Sequence, residues 1–364
     1  MMKNRIMRGV LLAGTLLFYN SIVGAQDWHV VRENGQKSFP QTVPAGNYSG
    51  ITHLHDDIYA VVSDKSDSAL YFNFRIQINP STGDLERVES LGFSEYVDGS
   101  RHDSTLGSGQ SWQGKETGFD HEAIAKVSDS SLVVASEGFY RLKEYAISGD
   151  NSNLWEKKWE ADTFYPNYVF ESLAFDSVHH CLWTIPESTL RKDGQPATPE
   201  NGLANKLRLM GIDWNEHTMQ TFAYEMDKPS TNRKADTYVL GVSELCALPD
   251  GQLLVLEREA FIPKIKLGAF CKCKLYVVNP WQEKSFALSC AFDGKTPFVS
   301  KRLLTEWNTN LSLFDRSFAN YEGMCLGPTL EDGSQVLILL SDSQDQYFGV
   351  LKDWFKTIVI ARNK

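Results

Sequence analysis

The chain has 364 residues, of which 42% are hydrophobic, 12% aromatic and 23% charged, and its formal net charge is −10. This composition excludes an intrinsically disordered chain, because enough apolar surface is present to offset the conformational entropy lost on folding. The excess of acids, 46 Asp and Glu against 36 Lys and Arg, argues against a nucleic-acid binder, which needs a basic surface to displace counterions. The acidic balance suits small ligands that are bound through a cation.

The N-terminal segment has the pattern of a secretory signal peptide. Three basic residues among the first eight precede the apolar run 9–18, and the small residues Gly24 and Ala25 close the segment. A basic start, a short apolar middle and a small-residue cleavage site are typical of such signals, and a bilayer span needs roughly 20 apolar residues. We therefore expect cleavage after Ala25, a secreted or periplasmic protein without a membrane span, and one domain over residues 26–364.

Short runs of β-branched and aromatic residues dominate the rest of the chain, and helical periodicity is nearly absent. The clearest runs cover residues 58–62, 71–78, 131–135, 253–256, 336–340 and 357–361. Turn pairs such as Asn79-Pro80, Asp250-Gly251 and Asp332-Gly333 separate them. This alternation of short strands and turns predicts an all-β fold.

A four-residue phrase recurs five times along the chain. It begins with an acid or a serine, and the copies are Ser49-Gly50-Ile51-Thr52, Glu122-Ala123-Ile124-Ala125, Glu171-Ser172-Leu173-Ala174, Ser243-Glu244-Leu245-Cys246 and Glu322-Gly323-Met324-Cys325. Each phrase is followed by a turn and an apolar strand that ends on an acid. These acids are Asp64, Glu137, Glu187, Glu257 and Asp342, which lie 15, 15, 16, 14 and 20 residues after the start of their phrases.

Repetition of this kind predicts a β-propeller, in which stacked four-stranded blades of roughly 40 to 50 residues bury one another's faces. That blade length gives about six blades. The terminal strands, 28–32 and 356–362, are expected to share one blade and close the ring, which removes exposed sheet edges. A parallel β-helix is the alternative fold, but its repeats are much shorter.

The acids of the repeat are the candidate site. The first strand of each blade lines the channel of a propeller, so the phrases should bring their first residues together. Carboxylates crowded into a confined space need a compensating cation. Oxygen ligands in a flexible ring favour Ca²⁺ over Mg²⁺, which demands stricter octahedral geometry. The expected metal ligands are Glu122, Glu171, Glu322, Asp64 and Asp342, with Ser49 and Ser243 in the same ring as the three glutamates.

Five residues are candidates for catalysis at the same channel mouth. His121 is a candidate general base near neutral pH, and Asp120 is expected either to orient it or to bind the metal. The planar guanidinium of Arg258 suits a phosphate or a carboxylate, and an ion pair with a blade acid is an equal alternative. Glu137 and Glu257 join this site if their strands run antiparallel to the first strands; otherwise they cap turns or pair with neighbouring cations.

Six cysteines follow the predicted signal peptide: Cys181, Cys246, Cys271, Cys273, Cys290 and Cys325. Segments 271–278 and 286–292 are predicted to form a hairpin, so Cys290 is expected to pair with Cys271 or Cys273 if the Cα separation allows. A zinc site is disfavoured, because a single residue separates Cys271 from Cys273. Cys246 and Cys325 occupy the same phrase position and are expected to be buried.

The phrases resemble those of the bacterial family named for the esterase-like activity of phytase. The resemblance rests on Asp120-His121-Glu122-Ala123-Ile124-Ala125, Phe170-Glu171-Ser172-Leu173-Ala174, Leu254-Val255-Leu256-Glu257-Arg258, Tyr321-Glu322-Gly323 and Tyr59-Ala60-Val61-Val62-Ser63-Asp64, and it covers about residues 45 to 362. The chain departs from the family pattern at Pro186 and Ser343. The resemblance implies a secreted, propeller-like protein whose repeated acids are suspected of phosphoesterase chemistry.

The leading hypothesis is a metal-dependent phosphoester hydrolase outside the cytoplasm. Ca²⁺ held by the three phrase glutamates would polarise the phosphoryl oxygen, while Arg258 stabilises charge and His121 moves the proton. The alternatives are a non-enzymatic, Ca²⁺-stabilised propeller that binds a sugar or a peptide, and a lactonase or other carboxylic-ester hydrolase. No serine-hydrolase elbow, Walker loop or dinucleotide fingerprint is present. We expect a small-molecule ester substrate, no nucleic-acid partner and a monomer.

Overall fold

The computed structural model describes residues 27–66, 69–96, 101–102, 119–148, 154–293, 295–343, 346 and 351–363, with the backbone alone described at 101 and 102. The predicted signal peptide lies outside these residues. The described part of the chain contains no α-helix and three single-turn 3₁₀ helices, at Glu137–Phe139, Ala161–Thr163 and Pro280–Gln282. Within it, no helix has the length and apolar character needed to cross a membrane. The predicted all-β fold is confirmed.

The strands form five antiparallel sheets. Sheet I contains β2 (Tyr48–His55), β3 (Ile58–Ser63), β4 (Leu70–Ile78), β5 (Leu85–Glu95) and β6 (Arg101–His102). Sheet II contains β7 (His121–Lys126), β8 (Ser131–Ser136), β9 (Arg141–Ala146) and β10 (Glu156–Lys158). Sheet III contains β11 (Ala174–Asp176), β12 (Cys181–Thr184), β13 (Lys206–Asp213) and β14 (Met219–Glu225).

The last two sheets are built from the C-terminal third of the chain and from its first described strand. Sheet IV contains β15 (Thr237–Ala247), β16 (Leu253–Ile262), β17 (Ala269–Val278) and β18 (Lys301–Leu311). Sheet V contains β19 (Asn320–Thr329), β20 (Gln335–Asp342) and β21 (Phe355–Arg362), with β1 (Trp28–Glu33) on the outside of β21. Trp28 pairs with Arg362, so the terminal strands share one sheet, as the sequence predicted.

The described residues form five sheets, where the repeat length predicted about six. The difference arises because the phrases are followed by long strands and insertions. Strands β15 and β18 have 11 residues each and β16 and β17 have 10, so sheet IV uses much more chain than the blade length assumed above.

The first strands of the five sheets lie next to one another. Strand β2 contacts β7, β7 contacts β11, β11 contacts β15, β15 contacts β19, and β19 contacts β2. A Cβ at Gly50 would lie 2.8 Å from the Cα of Ala123, so β2 and β7 approach as closely as a glycine allows. Apolar clusters fill the spaces between neighbouring sheets, such as Phe74 with Phe355 between sheets I and V and Trp183 with Val255 between sheets III and IV. The phrases therefore mark the innermost strands.

The predicted cysteine hairpin is wrong. Strand β17 pairs with β18 instead of with segment 286–292. Phe286 bridges to Thr221 of β14, and the backbone oxygen of Cys290 accepts a 2.6 Å hydrogen bond from Nη2 of Arg208 in β13. The segment therefore packs on sheet III, away from Cys271 and Cys273, and the six cysteines are free thiols. A local hairpin was inferred from short sequence separation, but the chain crosses to the neighbouring sheet before it returns.

Candidate acid cluster

Each phrase begins where the ladder between the first two strands of its sheet is interrupted. In sheet I, Tyr48 pairs with Ser63 and Gly50 pairs with Val62, so Ser49 is an extra residue in a β-bulge. The equivalent extra residues are Glu122, Ser243 and Glu322. In sheet III, Glu171 lies between the bridge from Phe170 to Pro186 and the first pair of β11. Because a bulge redirects a side chain, this shared irregularity gives the five residues a common direction.

The same pairing register identifies an equivalent residue at the end of the second strand of each sheet. Asp64, Glu137, Glu187 and Asp342 each follow the residue that pairs just before the bulge. In sheet IV that paired residue is Glu257 itself, opposite Val242, so the equivalent position is Arg258. The sequence spacing already pointed to Arg258. It lies 15 residues after Ser243, and in the first two repeats the acid also lies 15 residues after the start of its phrase. The sequence prediction therefore chose Glu257 where the equivalent residue is its neighbour, Arg258.

Arg258 of sheet IV joins three carboxylates that come from sheets III and V. Its side chain is only 4% exposed, and its guanidinium forms ion pairs with Glu187 and Glu322. Nη2 also lies 3.5 Å from Glu171, and Nη1 donates a 3.0 Å hydrogen bond to Oδ1 of Asn320. Burial acts to lower the pKa of Arg258, but the three carboxylates raise it well above its usual value. Arg258 is therefore a buried permanent cation that holds sheets III, IV and V together at this point.

A second group of acids lies where sheets I and II meet. One oxygen from each of Asp64, Asp120 and Glu122 lies within 4.8 Å of the other two. The hydroxyl of Ser49 accepts a 3.0 Å bond from the N–H of Asp64 and donates to the oxygen of His121 at 3.1 Å, which ties sheet I to β7. The ammonium of Lys65 lies 2.7 Å from Asp64. Grouped carboxylate oxygens are the donor type that a hard divalent cation prefers.

The two groups form one electrostatic unit. Burial raises the pKa of Glu122 well above its usual value, and Glu171, Asp64, Glu322 and Asp120 raise it further. Burial also raises the pKa of Glu322 to about 7 and, with Asp120 and Glu187 adding to it, that of Glu137 to about 8. Burial acts to lower the pKa of Lys65, but Asp64, Asp120 and Asp342 together raise it above its usual value.

We call this unit the acid cluster. Its carboxyl groups belong to Asp64, Asp120, Glu122, Glu137, Glu171, Glu187, Glu322 and Asp342, and the basic groups described among them belong to Lys65 and Arg258. Eight carboxyls against two cations cannot all be ionised in a buried site without further positive charge. The oxygen donors of Asp64, Asp120 and Glu122 fit a bound divalent cation.

His121 does not join the cluster. Its ring is fully buried, with centroids 5.0 Å from that of Phe119 and 5.7 Å from that of Tyr96. No described residue hydrogen-bonds either ring nitrogen. Burial, assisted by the charge of Arg141, lowers the pKa of His121 to about 3. A neutral imidazole enclosed by aromatic rings has no path to a substrate proton, so these contacts do not support its predicted role as a general base.

Glu257 also lies elsewhere, because successive side chains of a strand point to opposite faces of the sheet. Its carboxylate accepts a 2.7 Å bond from the hydroxyl of Tyr224 and forms a 2.6 Å ion pair with Lys301, between sheets III and IV. Of the five predicted metal ligands, Asp64 and Glu122 lie together with Asp120. Glu171 and Glu322 instead pair with Arg258, so the predicted metal-binding trio of Glu122, Glu171 and Glu322 is not supported. Asp342 and Glu137 belong to the same electrostatic unit, and His121 and Glu257 lie outside it.

Sequence reasoning missed two contributors to this region. Lys65 follows Asp64 directly and was not singled out. Glu244 takes the second phrase position, where the other copies have Gly, Ala or Ser. An acid at a position otherwise held by small residues could have identified it. Glu244 is 1% exposed, and its Oε1 accepts hydrogen bonds from the N–H groups of Leu173 at 3.0 Å and Leu245 at 2.9 Å. It therefore joins the inner strands of sheets III and IV.

The fold and the cluster define a class of protein: antiparallel sheets whose first two strands deliver charged side chains, mostly acids, to a shared site. Within that class, the chain belongs to the phytase-like family described as "esterase-like activity of phytase", whose pattern matches residues 43–344. The family resemblance noted from the phrases is thereby confirmed. No curated protein matches the sequence.

Several solved structures are similar to the chain. An endo-arabinase from Bacteroides thetaiotaomicron shares 11% identity over 90% of this chain and 99% of its own, with a TM-score of 0.43. A virginiamycin B lyase from Staphylococcus aureus shares 8% identity over 92% of this chain and 99% of its own, with a TM-score of 0.34. The Cps50 (Swd1) β-propeller domain of Myceliophteria thermophila shares 8% identity over 91% and 99%, with a TM-score of 0.32.

Proposed function

We propose that the protein is a metal-dependent phosphoester hydrolase that works outside the cytoplasm as a monomer. The observation that carries the proposal is the group of Asp64, Asp120 and Glu122, with one oxygen of each within 4.8 Å of the others, inside a larger excess of buried acids. Membership of a family described by esterase-like activity supports the reaction type. The circular order of contacts among the first strands supports a closed propeller of five blades. The N-terminal charge and apolar pattern supports secretion.

The metal side of the site would be formed by Asp64, Asp120 and Glu122. Carboxylate oxygens at this spacing favour Ca²⁺, with Mg²⁺ as the less suitable ion. When bound, such an ion supplies Lewis-acid polarisation of a phosphoryl oxygen and lowers the pKa of a bound water. The protein's part is to hold three oxygens from two sheets at fixed separation, which Ser49 assists by bonding both Asp64 and β7.

The two basic residues of the acid cluster, Arg258 and Lys65, have different roles in this proposal. The two terminal nitrogens of Arg258 pair with Glu171, Glu187 and Glu322, so in this proposal it neutralises those acids and keeps the inner strands together. The side chain of Lys65 is 49% exposed beside Asp64, which makes it the accessible cation for a phosphoryl group. Glu137 is only partly buried at the edge of the cluster and is the carboxyl best placed to pass a proton to a leaving group.

The test is an assay of the chain lacking residues 1–25 on generic phosphomonoester and phosphodiester substrates, with Ca²⁺ and with EDTA. We expect activity with Ca²⁺, its loss on chelation, and its loss in Glu122→Gln and Asp64→Asn. Glu257→Gln is the matched control, because this buried glutamate lies outside the cluster and should leave turnover within about twofold. Activity that persists after chelation and in Glu122→Gln would disprove the metal mechanism.

A non-enzymatic, Ca²⁺-stabilised binding protein is the second candidate. It is favoured by the ion pairs of Arg258, which occupy three of the eight carboxyls. In that case Ca²⁺ would raise the thermal midpoint, Glu122→Gln would abolish the rise, and no phosphoester, lactone or carboxylic ester would be turned over.

A further inference from the structure

Sheet IV carries an exposed apolar surface at the end where β16 meets β17. Ile265 and Leu267 in the β16–β17 turn are 76% and 45% exposed. Leu313 and Phe314, in the turn between β18 and β19, are 72% and 99% exposed. The two turns are adjacent, because the N–H of Gly268 donates a 2.8 Å bond to the oxygen of Leu311. Large side chains this exposed and grouped together mark an interaction surface.

The turn that exposes Phe314 is held by several local bonds. The N–H of Ser312 donates to the oxygen of Asp315 at 2.6 Å, and its hydroxyl accepts from the N–H groups of Phe314 at 3.2 Å and Asp315 at 2.9 Å. Leu311 and Arg316 form a bridge across its base. The backbone is therefore committed to presenting Leu313 and Phe314 to the outside.

Basic residues surround these apolar side chains. The three segments 231–237, 263–268 and 312–317 carry five cations and two acids, although the whole chain has a net charge of −10. Segment 231–237 belongs to the same end, since the N–H of Asp236 donates to the oxygen of Ile262 at 2.9 Å and Arg233 lies over the ring of Phe261 at 4.4 Å. We define the basic apolar tip as Ile265, Leu267, Leu313 and Phe314 with Arg233, Lys234, Lys264, Lys266 and Arg316.

The basic apolar tip lies at the same end of the sheets as the acid cluster. Strand β16 passes Arg258 and ends at Ile262, so about 13 Å of strand separates Arg258 from the start of the turn. Strand β19 begins two residues before Glu322, directly after the turn that carries Phe314. The tip therefore lies at the same end of sheet IV as Arg258.

We propose that the basic apolar tip docks the protein on an anionic phospholipid surface. Exposed apolar residues that enter the acyl boundary, flanked by Lys and Arg that meet anionic headgroups, are the combination that binds membrane interfaces. Charge complementarity selects this occupant, because the tip carries a local excess of basic residues in an acidic protein. The proposal stands apart from the hydrolase proposal, since it concerns binding alone.

The test is co-sedimentation of the chain lacking residues 1–25 with vesicles of phosphatidylcholine, alone or mixed equally with phosphatidylglycerol. We expect binding to the mixed vesicles that is at least about tenfold tighter than to phosphatidylcholine alone and that weakens with salt. Leu313→Ser/Phe314→Ser should weaken it about tenfold or more, since both apolar groups are lost. Lys264→Glu/Arg316→Glu should remove most of the preference for the anionic vesicles.

Leu303→Ser is the matched control, because Leu303 is 44% exposed on β18 outside the tip and should leave binding within about twofold. Thermal melting confirms that each variant is folded. Absence of sedimentation with either vesicle overturns the proposal, as does an equal loss in Leu303→Ser. A wild-type dimer that becomes monomeric in Leu313→Ser/Phe314→Ser, without vesicle binding, would assign the tip to self-association and also overturn it.

Discussion

Two groups of charges meet at strand β16 of sheet IV, and they are built differently. The acid cluster gathers eight carboxyls around Lys65 and Arg258. The second group, which we call the ion network, joins Glu257 and Asp227 to Lys301 and Lys274 between sheets III and IV. Lys301 lies 2.6 Å from Glu257 and 2.9 Å from Asp227, and Lys274 also pairs with Asp227. The ion network has as many cations as acids.

The pKa values follow this difference. Burial alone would raise the pKa of Asp227, but hydrogen bonds from Lys274, Tyr276 and Lys301 hold it well below the usual value. Burial raises the pKa of Glu171 well above its usual value, and Glu187 adds to this effect although Arg258 opposes it. Balanced charges stabilise the fold where they lie, whereas uncompensated ones mark a candidate binding site. The adjacent residues Glu257 and Arg258 belong to opposite groups because they face opposite sides of β16.

Removing the buried cation of the acid cluster, Arg258, should have the largest effect. Arg258→Met leaves Glu171, Glu187 and Glu322 buried without a partner, and we expect a loss of about 3 to 5 kcal/mol in the free energy of unfolding. Urea denaturation measures it. Arg87→Met, which removes an exposed partner of Glu89, should cost less than about 1 kcal/mol. A loss for Arg258→Met as small as that of the control would contradict the structural role of Arg258.

Breaking the ion network should cost somewhat less. Lys301→Met leaves Glu257, which is 3% exposed, without its cation, and we expect a loss of about 3 kcal/mol. The double variant Lys301→Met/Glu257→Gln removes the stranded charge and should recover at least half of that loss. Denaturation of the four proteins forms a double-mutant cycle, and strict additivity would show that the two residues do not interact.

A divalent cation should distinguish the two groups directly. At a Ca²⁺ concentration 100 times the dissociation constant, binding to the native state adds about 2.7 kcal/mol to the free energy of unfolding. Asp64→Asn should abolish this gain, while Asp227→Asn should retain it, since Asp227 already has two cations. Thermal melting with Ca²⁺ and with EDTA measures the shift. An equal gain in wild type and Asp64→Asn would place the ion outside the acid cluster.

The smallest effect is a pH dependence from the ion network. Because the pKa of Asp227 is lowered in the folded state, its stabilisation is complete above the unfolded value of about 4 and is lost as the pH falls below it. Asp227 is partly exposed, so the contribution should be at most about 1 kcal/mol. Between pH 5 and pH 2, the wild type should lose stability more steeply than Asp227→Asn in urea titrations. Parallel slopes would contradict the assignment.

The sequence was sufficient to locate most of the cluster. The five phrases identified the first strands and the residues at their bulges, because a repeated structural unit repeats its pattern of small and acidic residues. The acids that follow the second strands, Asp64, Glu137, Glu187 and Asp342, were also located correctly, which covers four sheets out of five. In sheet IV an acid was preferred at position 257, although the 15-residue spacing pointed to Arg258, and a shift of one residue in a strand moves the side chain to the other face.

Other features were beyond the sequence. His121 precedes Glu122 directly, yet the bulge and the rings of Phe119 and Tyr96 enclose it away from the acids. The number of sheets depended on how much chain each strand uses, which the phrase spacing does not reveal. The path of segment 286–292 depended on contacts with β13 and β14, and these are absent from any local pattern.

By itself, then, the sequence determined the all-β class, the family, the shared terminal sheet and the positions of the converging acids, because these depend on periodicity and repetition. The tertiary structure decided which charges meet. Arg258 contacts Glu171 and Glu187 across 87 and 71 residues of chain and Glu322 across 64, and Asp64 meets Asp120 and Glu122 from another sheet. Such encounters depend on how whole sheets pack, since the energy of a buried charge is set by its neighbours in space and not by those in sequence.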